Sequence, residues 1–305
     1  LRSLEVKDSI AAMPSSPEVF TLGHSPDPDD AFMFYAMARN KIDLRGYRFE
    51  HHLEDIQTLN ERALRGELHI SAISVHAYAY AADKYALLPC GASMGDGYGP
   101  LLVSQGPDSD PQIPTFSKGT DPREWLRNCV IAVPGQMTSA YLALQLYLGD
   151  FRHIVVPFDQ IFDAVKSGRA AAGLIIHEGQ LTYAQSGFQK IVDLGEWWKC
   201  KTGLPLPLGG NVLRKDIPPP VRHDLLQIIR ESIDYGLTHR AEAVDYSMAY
   251  ARDMNPQLAG KFIGMYVNDF TRDYGETGRR AISRFLLEAR SSGYIETLVE
   301  PEFVD

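Results

Sequence analysis

The sequence predicts an α/β protein of two lobes about a cleft, and three observations carry that expectation. Short apolar runs alternate with amphipathic stretches in a βα rhythm from Val19 to Ser104. A segment rich in Pro, Gly, Ser and Asp, from Gly106-Pro107-Asp108 to Thr120-Asp121-Pro122, then breaks the pattern, and a second βα series starts at Val130. From Pro219 to Ser292 the periodicity is helical throughout. A chain of 305 residues, 45% hydrophobic and 23% charged, is long enough to give each lobe its own core.

Residues 1–17 mix charge, Ser and Pro without a period and read as a loosely attached arm. Val19–Gly23 is the first strand; it feeds Ser25-Pro26-Asp27-Pro28-Asp29-Asp30, where prolines fix φ and aspartates can cap a helix starting near Ala31. A strand at Tyr47–Leu53, a helix at Asp55–Leu64, a strand at Ile70–Ser74 and a helix from His76 to Ala82 come next. Strands Ala86–Cys90 and Pro100–Ser104 flank a glycine-rich loop, Gly91 to Gly99. The second series reads as strand Val130–Val133, helix Thr138–Leu148, strand His153–Pro157, helix Ile161–Ser167, and strands Ala171–Ile176 and Gln189–Asp193. A loop, Gly203 to Gly210, leads into a strand at Asn211–Arg214.

The two series echo each other. Ala63-Leu64-Arg65-Gly66 leads to a strand ending at Ser74-Val75-His76, and Lys166-Ser167-Gly168-Arg169 leads to one ending at Ile176-His177. Each lobe would then present a histidine at its strand ends. Lobe 1 is expected over residues 18–106 and 208–305, and lobe 2 over 107–207. Two α/β lobes joined by two crossovers, with C-terminal helices returning to the first, define a periplasmic-binding-protein-like (type II) fold, which holds ligands between lobes and closes by a hinge.

Composition narrows the partners. A net charge of −9 without a basic patch argues against nucleic acid and anionic membranes. No stretch reaches the roughly 18 apolar residues of a membrane span, and the first 17 residues lack the pattern of a signal peptide, so a cytoplasmic location is expected. Cys90, Cys129 and Cys200 form no CxxC pair or Cys/His cluster and read as free thiols. Nothing in the sequence sets an oligomeric state.

The candidate chemistry sits at strand ends. Gly173-Leu174-Ile175-Ile176-His177-Glu178 is a buried-strand run ending in an ionisable pair, at the edge where α/β sheets place ligands. His177 is a candidate general acid/base, with Glu178 or the aspartate-rich turn as its orienting partner; a purely structural role is the alternative. Thr138, Ser139 and Ala140 open a helix, and such a start either receives an anion or is simply capped. The turn has neither GxxxxGK[ST] nor GxGxxG spacing, which argues against nucleotide binding, and no GxSxG supports serine hydrolysis. Ser25, Asp27, Asp29 and Asp30 either bind substrate hydroxyls or cap a helix; the set is short of ligands for a metal site, and none is assigned.

Several motifs in order carry a family resemblance. Ser25-Pro26-x-Pro28-x-Asp30 before Phe32, Glu54 to Asn60, Val133-Pro134-Gly135 to Tyr141, Gly173 to Glu178, and Thr202-Gly203-Leu204-Pro205-Leu206-Pro207-Leu208-Gly209 resemble the 1,4-dihydroxy-6-naphthoate synthase family of the futalosine route to menaquinone. The resemblance covers about residues 19–290. It implies a cofactor-free lyase acting on cyclic dehypoxanthinyl futalosine, a small aromatic carboxylate, with His177 as base. It further implies a polar pocket at Thr138, Ser139 and Ala140, and Ser25, Asp29, Asp30, Ser74 and His76, at the other strand ends, are further candidate substrate contacts.

The chain also departs from the family. Its first turn usually reads Ser-Pro-Cys-Pro-Asn-Asp-Thr-Phe, whereas Asp27, Asp29 and Ala31 stand here in place of Cys, Asn and Thr, and His76 replaces an expected tyrosine. Added carboxylates repel an aromatic acid unless they face away or bind its hydroxyls. Two alternatives stay open: chorismate dehydratase of the same pathway, whose fold is similar, and a cytoplasmic binding protein without chemistry.

Overall fold

The computed structural model describes residues 18–109, 113–116, 119, 121–251 and 255–305; the expected arm, 1–17, and part of the expected linker lie outside them. The strands are β1 (Val19–His24), β2 (Arg48–Leu53), β3 (Ile70–Ser74), β4 (Tyr85–Leu87), β5 (Ser93–Gly95), β6 (Leu101–Gln105), β7 (Val130–Val133), β8 (Arg152–Val155), β9 (Ala172–Ile175), β10 (Phe188–Asp193) and β11 (Leu206–Arg214). They form two sheets, ordered β2-β1-β3-β11-β4, with β5 also on β11, and β10-β6-β9-β7-β8. β1 runs parallel to β2 and β3, and β7 parallel to β8 and β9, whereas β11 and β6 are antiparallel to their neighbours. Each sheet is therefore a parallel βα unit closed by a strand from the crossing chain.

That crossing corrects the sequence reading. The strand expected at Pro100–Ser104 within lobe 1 is β6, and it belongs to the second sheet, between β10 and β9. The chain therefore leaves the first sheet after Gly95 and returns through the helix Leu194–Thr202, which the periodicity does not reveal. The outgoing and returning segments touch backbone to backbone: Leu194 N–H donates to Pro100 O at 3.0 Å. A Cβ on Gly195 would lie 1.9 Å from Tyr98 O, so only glycine permits this approach.

Local chemistry explains the elements that position the site. Asp55 caps the helix Ile56–Arg65 by accepting the N–H groups of Gln57 and Thr58 at 3.0 and 3.1 Å, and Gly66 ends it in the left-handed conformation. β11 begins at Leu206, ahead of the expected Asn211. Its prolines and glycines read as loop, yet the register with β5 shifts between Pro207 and Gly209, a bulge that tolerates a residue without N–H. One core packs Phe20, Leu22 and Ile70 of the first sheet against Phe32, Leu226 and Ile229 of its covering helices. Another runs from Tyr78 through Val133, Leu174 and Trp198 to Phe285 and joins both sheets. Each such side chain contributes about 1.5–3 kcal/mol when fully buried.

Candidate active site

Between the sheets lies a concave cavity lined from both of them. From the first sheet, Ser25, Asp29 and Asp30 reach it after β1, Ser74 at the end of β3, and Asn211 from β11. From the second, Thr138, Ser139 and Ala140 reach it after β7 and Ile176 after β9. Phe262 and Tyr266, on the helix Pro256–Tyr266, complete the wall.

The aspartate turn is a compact arrangement of acids. Ser25 N–H donates to Asp30 Oδ2 at 2.7 Å, and its hydroxyl donates to Asp27 Oδ2 at 2.6 Å. Burial pushes the Asp30 carboxyl up to about 7, against the lowering effect of the Ser25 N–H and with Asp27 adding repulsion. Burial, then the charges of Asp30 and Asp27, hold Asp29 well above the usual carboxylate range. The turn is therefore biased toward its protonated forms, which present O–H donors as well as acceptors. Among the described residues no cluster of His, Cys, Asp or Glu is arranged to hold a metal ion.

The opposite wall is a helix start. Thr138 accepts the Tyr141 N–H on Oγ1 at 3.1 Å and donates its hydroxyl to Gly135 O at 2.8 Å. Its side chain thus caps the helix Ser139–Leu148, while the first-turn amides of Ser139 and Ala140 have no acceptor within the helix. This start is fastened to the first sheet. Gln57 Oε1 accepts Met137 N–H at 3.1 Å, Asn60 Nδ2 donates to Met137 O at 3.3 Å, and His76 N–H donates to Ser139 Oγ at 3.2 Å. A Cβ on Gly135 would sit 2.3 Å from Gln57 Oε1, so glycine is what lets the latch close. Asn60, fully buried, also bonds Ser74 twice, through its N–H at 2.8 Å and Oγ at 3.0 Å.

The two histidines do not line the wall. His76 lies behind the wall: its N–H holds Ser139, its ring packs against Tyr80 and reaches the backbone of Thr138 and Gln136, and burial lowers its pKa to about 4. His177 follows the wall residue Ile176 and is 8% exposed, edge-on to Phe158 and Phe162 at 5.7 and 6.0 Å. Gly179 N–H donates to its Nδ1 at 3.0 Å, which places the proton of the neutral ring on Nε2, and Glu178 Oε2 lies 3.8 Å from the same Nδ1. The adjoining segment is tied to the far side of the cavity, where Tyr266 O–H donates to Gln180 Oε1 at 2.6 Å.

Asn211, Tyr266 and Phe262 do not stand out in the sequence as site residues. Asn211 follows the glycine-rich motif ending at Gly209, which is a usable signal; the helix carrying Tyr266 and Phe262 offers none beyond its periodicity.

Two sheets exchanging strands about a shared cavity define the class of proteins with a periplasmic-binding-protein-like fold. An alkanesulfonate-binding protein from Xanthomonas axonopodis pv. citri superposes with a TM-score of 0.70 over 94% of this chain and 98% of its own, at 11% identity, a likeness of fold alone. Within that class, a family model described as menaquinone biosynthesis matches residues 20–291, and the chain belongs to that family. A Thermus thermophilus relative named 1,4-dihydroxy-6-naphthoate synthase is 39% identical over 94% of this chain and 100% of its own length. A crystal structure of an Archaeoglobus fulgidus protein, 41% identical, matches with a TM-score of 0.83 over 91% of this chain and 98% of its own. The protein is an enzyme of menaquinone biosynthesis. Among the described residues no helix is long and apolar enough to cross a membrane.

Proposed function

We propose that this enzyme is the carbon–carbon lyase that converts cyclic dehypoxanthinyl futalosine to 1,4-dihydroxy-6-naphthoate, with His177 as general base. The observation that carries the reading is the cavity itself, where Ser25, Asp29, Asp30, Ser74, Thr138, Ser139 and Ala140 meet from distant parts of the chain. The amides of Ser139 and Ala140 receive the substrate carboxylate, an interaction that contributes about 0.3–1 kcal/mol and up to about 2 in a partly buried setting. The acidic turn across the cavity takes hydroxyls.

The reaction then needs only proton transfers. The base takes a proton from a hydroxyl of the sugar-derived part; as that oxygen becomes a carbonyl, the carbon–carbon bond to the ring system breaks and its electron pair is drawn into the ring. The imidazolium returns the proton to the ring system, and the aromatic diol and the carbonyl fragment separate. For His177 to accept at Nε2, its own proton must sit on Nδ1. Glu178 Oε2, 3.8 Å away, is the acceptor that takes over Nδ1–H when a small ring rotation releases the Gly179 amide. Closure of the latch keeps water from the intermediate.

Incubation with cyclic dehypoxanthinyl futalosine and identification of the product by mass and absorbance tests the reading. 1,4-Dihydroxy-6-naphthoate is the expected product; intact substrate after long incubation would refute it. Loss of one water from chorismate would assign the dehydratase reaction instead.

A further inference from the structure

We propose that Asp29 and Asn211 form, with Ser74 between them, a wall of the cavity that reads the hydroxyl groups of the sugar-derived part of the substrate. The inference rests on the lyase reading and sets the orientation of the substrate across the cleft: hydroxyls on the first sheet, carboxylate on the helix start of the second.

The wall arises from strand order. β1, β3 and β11 are consecutive in the first sheet, so the turn after β1, the end of β3 and the middle of β11 succeed one another along one side of the cavity. Asn211, opposite Ala72 of β3, is 2% exposed. Its Nδ2 donates to Gly91 O at 3.1 Å, while its Oδ1 is buried without a hydrogen-bond partner. A buried acceptor left this way costs about 1–3 kcal/mol unless something else fills it. Since Asn211 lines the cavity, a bound O–H is the donor that completes it. Ser74 Oγ already accepts from Asn60, which leaves its own O–H to donate.

Asp29 supplies the other end. It stands where the resembled family has Asn, so the chemistry here is a carboxyl group rather than an amide. The charges that bear on it are Asp30 and Asp27 of the same turn, and Tyr266 faces it from the helix Pro256–Tyr266. None of these is a cation. A carboxyl in such company is biased toward its protonated form, which both gives and accepts a hydrogen bond and so suits a hydroxyl and not a carboxylate. As pH rises and the turn loses its proton, repulsion of an anionic substrate increases.

The test compares substrate with product, because 1,4-dihydroxy-6-naphthoate keeps the ring and carboxylate and lacks the sugar-derived part. Asn211→Leu and Asp29→Asn are each measured for the KM of cyclic dehypoxanthinyl futalosine and for the inhibition constant of the product. Melting temperature is recorded for both, since Asn211 also holds Gly91, and Asp29→Asn is the variant that does not disturb that contact. The expected result is a KM raised about 10-fold by Asn211→Leu with the product constant unchanged. For Asp29→Asn, which leaves Asp30 as the titrating acid of the turn, we expect a KM that climbs less steeply with pH than it does in the unaltered protein. Equal shifts for substrate and product, or a pH profile of Asp29→Asn identical to the parent, would overturn the assignment. Absence of turnover in the unaltered protein overturns the lyase reading itself; calorimetric binding of intact substrate and product to the same variants then decides the wall separately.

Discussion

His76 and His177 occupy matching places and end in different circumstances. Each comes after a helix, a left-handed glycine turn at Gly66 or Gly168, and a short strand parallel to the neighbour that precedes it, β3 beside β1 and β9 beside β7. β3 runs directly into the helix Val75–Ala81, so Ser74 remains at the cavity and His76 is carried into the interior. β9 stops at Ile175, and the chain turns before the helix Gly179–Thr182, so His177 sits in a turn beside Glu178 and bonded to Gly179. A strand end alone does not make a site. The element after the strand sets where the ring goes: His76 onto the helix Val75–Ala81, His177 into a turn beside Glu178.

Substitutions on the two sides separate these circumstances. The largest effect is expected at His177, where loss of a general base lowers kcat by about 10²–10⁴-fold. Next comes the latch on the His76 side. Asn60→Ala removes the partners of Ser74 N–H, Ser74 Oγ and Met137 O at once. It should destabilise the protein by about 2–4 kcal/mol in denaturant titration and raise KM. The corresponding tie on the His177 side is one bond, Tyr266 to Gln180, so Tyr266→Phe should cost only about 0.5–1.5 kcal/mol. An effect of Tyr266→Phe as large as that of Asn60→Ala would show that the two sides are fastened alike.

Two smaller effects have opposite pH signs. His76 is held neutral, its pKa lowered to about 4 by burial, so the stability it contributes is lost as pH falls from about 6.5 toward 4. The melting temperature gap between the parent and His76→Asn should therefore narrow over that window. The Asp29 carboxyl is raised, so its ionisation in the unfolded chain destabilises the fold increasingly as pH rises above about 4. Asp29→Asn should thus melt higher than the parent at about pH 8, by about 2–5 °C, with the gain shrinking toward about pH 4.

Much of this is legible in the sequence because periodicity and turn chemistry agree. β3, β7 and the helix at Thr138 stand where apolar runs and caps place them, and the glycine before each echo strand is a left-handed turn. The apolar run of β6 points to the wrong sheet because strand pairing is a tertiary choice that such a run does not encode. Asn211 reads as the start of a strand, since the bulge at Pro207 disguises the residues before it as loop. Tyr266 lies on a helix whose pattern shows a buried face without showing what that face meets. The echo places His76 at a strand end but does not reveal that the helix into which β3 runs sets its ring behind the wall, against the Gln136–Thr138 backbone.

We propose that the two histidines, alike in sequence setting, divide into one that reacts and one that supports. The direct measurement is product formation from cyclic dehypoxanthinyl futalosine by His177→Asn and His76→Asn under the same conditions. Substrate binding is checked calorimetrically and folding by circular dichroism. The account predicts that His177→Asn binds substrate nearly as well as the parent yet loses at least about 100-fold in turnover, while His76→Asn keeps turnover within about 10-fold. Comparable turnover losses in both variants, or full activity in His177→Asn, would contradict it.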